Sequence, residues 1–194
     1  MTDDARIAGV ILAGGLGRRM GGVDKGLRAL RGRPMVQWVL ERFLPQVDEL
    51  LINANQHLDE YSKFGYPVIP DRVAGFAGPL AGLHAALSAT SLPLVATVPC
   101  DSPFLPTDLV ARLKRSLLEQ RADLATARTL AQTHPVFCLC RRAVLPGLSG
   151  FLVAGGRKVD QWHATLAAVE VRFDDEVEAF GNVNTPEELS RLEL

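Results

Sequence analysis

Residues 14–25, GGLGRRMGGVDK, place five glycines, Arg18, Arg19, Asp24 and Lys25 within twelve positions. They follow directly on an apolar run, IAGVILA, at 7–13. Glycine is costly to order, so something must repay the ordering of a segment this rich in it, unless the segment is simply a flexible surface loop. Glycines allow the main chain to approach a phosphate closely and turn its N–H groups toward it, and Arg19 and Lys25 add charge-assisted hydrogen bonds. The expected chemistry is a grip on a polyphosphate. Two familiar phosphate loops do not match: Lys25 is followed by Gly26 rather than Ser or Thr, and a G-x-G-x-x-G beginning at Gly15 meets Met20 where glycine is required. A second chemical feature is Asp101, in VPCDSPF, just past the apolar run 93–100. Its hard carboxylate suits Mg²⁺, which takes one or two carboxylates together with water and substrate phosphates; the same residue could also cap the turn at Ser102-Pro103.

Positioning these groups requires strands that end together. Short aliphatic runs at 6–12, 49–55, 66–71 and 93–101 alternate with helical periodicity at 34–44, 58–65, 78–89 and 106–120. Pro34 stands at a helix start and a glycine closes 58–65. Two further strands are expected in ADLATA and HPVFCLC, with a hairpin across RTLAQT, then a helix over 141–154, a short helix after GGRKV and a strand at 167–173. Thr185 and Glu188 form a capping box for a closing helix, with Pro186 in its first turn. The alternation predicts an α/β fold: one Rossmann-like, three-layer α/β/α domain spanning 1–194 around a mainly parallel central sheet. In such folds ligands gather beyond the carboxyl ends of the strands. Gly14, Asn53, Asp71 and Asp101 all stand just past such ends.

Composition bounds the rest. The 194 residues are 47% hydrophobic and 22% charged, as in an ordinary globular protein, and the net charge of −1 provides no overall field for nucleic acid or an anionic membrane. Three cysteines make no disulfide framework, and reduced thiols imply the cytoplasm. MTDDAR does not begin a signal peptide, and no apolar run is long enough to span a bilayer. Cys138-x-Cys140 has no second pair at zinc spacing and reads as core thiols; His57, His84 and His163 read as structural or surface residues. His134, before Pro135 at a strand start, could lie near a second substrate.

LAGGLGRRMGGVDK resembles the signature loop of the nucleotidyltransferase superfamily, in the form L-A-G-G-x-x-x-R-M-G-x-x-D-K found in its molybdopterin branch. GPLAG (78–82), PCDSPFLP (99–106), HP (134–135) and NVNTPEEL (182–189) match that branch in order and spacing, so the resemblance covers essentially the whole chain. It implies a molybdenum cofactor guanylyltransferase activity: GMP passes from GTP to molybdenum-molybdopterin and pyrophosphate leaves. It implies Mg²⁺ on Asp101, phosphate contacts from Arg19 and Lys25, and nucleotide contacts from Leu12, Ala13, Gly14, Gly15, Asn53 and Asp71. The alternatives are a strand-end cap for Asn53 and a turn residue for Asp71. The nucleotide half would be N-terminal. The C-terminal half would hold the pterin through Arg157, Lys158, Asn182 and Asn184, although Arg157 and Lys158 would also suit a solvated face. Cytidylyl relatives carry L-A-A-G where this chain has LAGG, which favours GTP. A monomer is expected, with molybdoenzyme chaperones or cofactor-insertion proteins as further partners. The alternatives are a cytidylyl- or sugar-phosphate nucleotidyltransferase and a non-catalytic cofactor-binding adaptor.

Overall fold

A computed structural model describes residues 5–15, 24–73, 78–130 and 132–183. In chain order the elements are β1 (Ile7–Leu12), β2 (Ala29–Leu30), β3 (Arg33–Pro34), α1 (Met35–Phe43), β4 (Glu49–Asn53), α2 (Leu58–Ser62), β5 (Val68–Ile69) and α3 (Pro79–Ala89). They continue with β6 (Leu94–Pro99), α4 (Leu109–Glu119), β7 (Leu124–Thr129), β8 (Gln132–Arg141), α5 (Leu145–Val153), α6 (Val159–His163) and β9 (Ala168–Arg172). Seven strands form one sheet in the order β5-β4-β1-β6-β8-β7-β9. All neighbouring pairs are parallel except those made by β8, which runs antiparallel to both β6 and β7. The expected hairpin is therefore β7–β8, and it inserts one reversed strand into the parallel sheet. The small antiparallel pair β2–β3 was not foreseen, because two-residue strands carry no periodicity.

Side chains alternate across β1. Ile7 and Ile11 join a core with Val36, Val39 and Phe43 of α1 and Leu113 and Leu117 of α4. Ala8 and Val10 face the opposite core, formed by Leu80, Leu83 and Leu87 of α3, Leu148 and Leu152 of α5 and Trp162 of α6. Helices thus cover both faces of the sheet, giving the three layers. Gly9 has a specific reason: a Cβ there would lie 2.7 Å from Phe43 Cε1, so the glycine lets α1 seat its fully buried ring directly on the strand. Cys138 and Cys140 lie in the α3/α5 core, where burial pushes both thiols up, Cys138 to about 11. All three cysteines are free. Burial likewise lowers His163 to about 4, so it is neutral at pH 7. No helix among the described residues is long and apolar enough to cross a membrane. The capping box at Thr185 and Glu188 lies outside the described residues.

The register of the central strands builds the site. Leu12 stands opposite both Asn53 of β4 and Pro99 of β6, so the three strands end at one level. Ala13 donates its N–H to the Asn53 carbonyl at 2.8 Å, and Cys100 donates to the Leu12 carbonyl at 3.1 Å. The chain segments that leave those ends therefore emerge side by side.

Candidate active site

Beyond these strand ends lies a cavity of about 480 Å³ lined by Leu12, Ala13, Gly14, Gly15, Asp24, Lys25, Asn53, Gly78, Pro79, Pro99, Cys100, Asp101, Val136 and Asn182. Lys25 Nζ donates to Asp101 Oδ2 at 3.0 Å across it. The two residues are 76 apart in sequence, and the sheet brings the acid to the edge of the glycine-rich segment. Arg18 and Arg19 lie outside the described residues.

Asp101 is firmly held. Its carbonyl accepts the Val183 N–H at 2.9 Å, and the neighbouring Ser102 hydroxyl donates to Asn182 Oδ1 at 2.6 Å. These bonds bring Asn182 from the C-terminal part of the chain into the cavity wall. Among the described residues no three His, Cys, Asp or Glu side chains cluster as a metal cage. The Asp101 carboxylate at the cavity is the kind of donor expected for a hard cation that keeps water and shares its remaining positions with phosphates.

Asn53 is 2% exposed and donates its amide to the Ile69 carbonyl at 3.1 Å and to Asp71 Oδ1 at 2.9 Å. Asp71 Oδ2 accepts from Asn55 Nδ2 at 2.8 Å, and Asn55 Oδ1 accepts the Asp71 N–H at 2.9 Å. Asn55 Nδ2 also donates to the Gly14 carbonyl at 3.2 Å. Asp71 therefore stands one link behind the cavity wall, bracing two asparagines against the start of the glycine-rich segment. Asn55, which the sequence marks only as a strand end, is part of the same brace.

Two glycines are required by this packing. A Cβ at Gly14 would meet Asn55 Nδ2 at 2.8 Å and Asn53 Oδ1 at 3.0 Å. A Cβ at Gly82, on α3, would overlap Asn53 Oδ1 and lie 2.7 Å from Leu12 Cδ2. Gly82→Ala is expected to destabilise the protein by about 1–3 kcal/mol, because buried Asn53 cannot withdraw without breaking its bonds to Ile69 and Asp71. Thermal denaturation should read this as a midpoint lower by roughly 2–10 °C.

Asp24, to which the sequence assigns no role, borders the cavity beside Lys25. Its Oδ1 accepts from the Tyr61 hydroxyl at 2.6 Å and from the Gly26 N–H at 3.0 Å. Burial, with the nearby Cys100 and Asp24 adding to it, pushes the Tyr61 phenol upward, so it stays a neutral donor.

A second cavity of about 390 Å³ shares Pro99, Val136 and Asn182 with the first. His134 forms part of its wall, stacked on Phe180 with ring centroids 4.7 Å apart, and its Nε2 lies 2.7 Å from Thr129 Oγ1. Burial lowers the His134 pKa, which favours neutral imidazole. The β7–β8 ladder slips between Thr126 and Ala127, opposite the segment containing Pro135, which has no N–H to give. Arg157 borders neither cavity; its guanidinium donates to the Leu152 and Gly156 carbonyls at 2.9 and 2.7 Å. Lys158 borders neither cavity, and Asn184 lies outside the described residues.

Residues 9–168 match the family model described as MobA-like NTP transferase domain. A protein of Bordetella petrii named molybdenum cofactor guanylyltransferase is 50% identical over 99% of this chain and 100% of its own length. One of the same name from Shewanella halifaxensis is 47% identical over 97% of this chain and 94% of its own. Among solved structures, molybdopterin-guanine dinucleotide biosynthesis protein A from Archaeoglobus fulgidus superposes with a TM-score of 0.81 at 26% identity, covering 96% of each chain. 2-C-methyl-D-erythritol 4-phosphate cytidylyltransferase from Thermus thermophilus shares the fold, with a TM-score of 0.69 at 20% identity.

Proposed function

The chain belongs to the MobA-like NTP transferase domain family, and on that footing we propose that it transfers GMP from GTP to molybdenum-molybdopterin, yielding molybdopterin guanine dinucleotide and pyrophosphate. The observation that carries the reading is the Lys25–Asp101 pair facing one cavity at the tips of β1 and β6. The named relatives at about half identity over nearly the whole length support the choice of guanylyl transfer over its cytidylyl and sugar-phosphate counterparts.

In this reading the triphosphate lies along the glycine-rich segment, with Gly14 and Gly15 allowing close approach and Lys25 and Arg19 neutralising it. Leu12, Ala13 and Asn53 form the corner for base and ribose, and Asp71 acts by holding Asn53. Asp101 would hold Mg²⁺, whose charge, when bound, favours bond breaking at the α-phosphorus and departure of pyrophosphate. The acceptor phosphate oxygen attacks the α-phosphorus in line as the bond to the bridging oxygen breaks. That oxygen is already ionised near pH 7, so the chain need not supply a general base, and its own contribution is placement and charge. The acceptor enters through the second cavity, because a shared wall of Pro99, Val136 and Asn182 lets its phosphate meet the nucleotide. His134 and Phe180 offer a flat aromatic surface there for a pterin, and the amide of Asn182 matches its alternating donors and acceptors. Lys158 and Asn184 would add acceptor contacts, as the resemblance implies; Arg157 spends its guanidinium on the carbonyls of its own loop. The nucleotide half is N-terminal and the acceptor half C-terminal, in a monomer working in the cytoplasm and passing product to cofactor-insertion proteins or molybdoenzyme chaperones.

Mass spectrometry of the pterin after incubation with Mg²⁺ and either GTP or CTP tests the reading. The expected result is a product heavier by GMP, absent when EDTA replaces Mg²⁺. A CMP adduct formed in preference would overturn the guanylyl choice. Pyrophosphate release that stays at background on adding pterin would favour the non-catalytic adaptor.

A further inference from the structure

Asp24, Lys25 and Gly26 form a turn that touches the core at one point. Tyr61, on α2, is fully buried, yet its hydroxyl reaches Asp24 Oδ1 at 2.6 Å. The same oxygen accepts the Gly26 N–H at 3.0 Å, and the Gly26 carbonyl accepts the Val36 N–H at 2.9 Å, which ties the turn to α1. Gly26 has no room for a side chain: a Cβ would lie 2.5 Å from the Tyr61 oxygen and 3.2 Å from Cys100 Cβ and Sγ. The turn is thus pressed against α2, α1 and the end of β6 at once, with Lys25 Nζ directed onto Asp101. Without the phenol, the Asp24 carboxylate beside Lys25 would lack its side-chain donor and could compete with Asp101 for the ammonium group. We infer that Tyr61 is a positioning residue, whose hydroxyl clamps Asp24 so that Lys25 points at Asp101 and at the triphosphate between them. The inference rests on the reading of the cavity as a nucleotide site.

Tyr61→Phe keeps the buried ring and deletes only the hydroxyl. The expected result is a kcat for GMP transfer about tenfold lower or more, with KM for GTP rising about two- to threefold, per mole of titrated GTP-binding sites. Counting sites removes any contribution from unfolded protein, so a purely structural role would leave both constants unchanged. Gly26→Ala alone is expected to cost more than tenfold, because the new methyl meets the Tyr61 oxygen. Adding Tyr61→Phe to it removes that clash, so the double variant should turn over faster than Gly26→Ala alone. Wild-type constants in Tyr61→Phe, or losses that simply multiply in the double variant, overturn the clamp. If the wild-type protein transfers no GMP, the reading of the reaction fails instead. The clamp is then read by calorimetry with inorganic triphosphate: binding weakened at least twofold in Tyr61→Phe upholds it, and equal affinity overturns it.

Discussion

Asp101→Asn is expected to lower kcat for GMP transfer about 10²–10³-fold while leaving the fold intact, a loss typical of removing one strong electrostatic contact at a reacting phosphate. The substitution is isosteric. The strut from the Val183 N–H ends on the Asp101 main-chain carbonyl, and the Ser102–Asn182 bond does not involve the side chain, so both survive. The new amide oxygen can still accept from Lys25. What disappears is the negative charge, in a side chain only 10% exposed. An amide there holds a divalent cation poorly, so the Mg²⁺ concentration giving half-maximal rate should rise along with the fall in kcat. Steady-state rates across a Mg²⁺ titration, with a thermal midpoint for each protein, check this. Turnover within threefold of wild type at every Mg²⁺ concentration would remove Asp101 from the mechanism.

Lys25→Met should cost about 10²-fold in kcat/KM for GTP, with the larger share in kcat. Methionine keeps most of the aliphatic stem and deletes the ammonium group, so the clamp on Asp24 is untouched. The charge is expected to matter most as negative charge moves onto the leaving pyrophosphate, which places its effect in the transition state. The effect on stability should be small, about 1 kcal/mol, because the pair opens onto a cavity and the Lys25 side chain is 27% exposed. Comparing kcat/KM for GTP in Lys25→Met and Lys25→Arg separates charge from shape: arginine should recover part of the rate. Unchanged transfer in Lys25→Met would refute its role.

Both substitutions concern residues that the sequence itself singled out. The sequence marked Lys25 because a strand running into glycines and cations suits a phosphate, and Asp101 because an acid ends an apolar run; the sheet pairs the two at one cavity. The central strands were equally legible: β1, β4 and β6 bury both faces and so read as continuous aliphatic runs. The sequence could not indicate that Arg157 would spend its guanidinium on the carbonyls of its own loop, since an exposed basic run looks the same whether it meets a ligand or water.

By itself, then, the chain determined the longer elements and which chemical groups stand at their ends, because those follow from periodicity and residue type over a few neighbours. Tertiary structure alone decided the couplings: Asp71 on Asn53 and Asn55, Asn182 on Ser102, His134 on Phe180, and Tyr61 on Asp24. The physical reason is range. A hydrogen bond spanning 37 or 80 residues depends on strand order and register, and no local pattern around Tyr61 distinguishes a phenol bonded to Asp24 from one that merely fills the core.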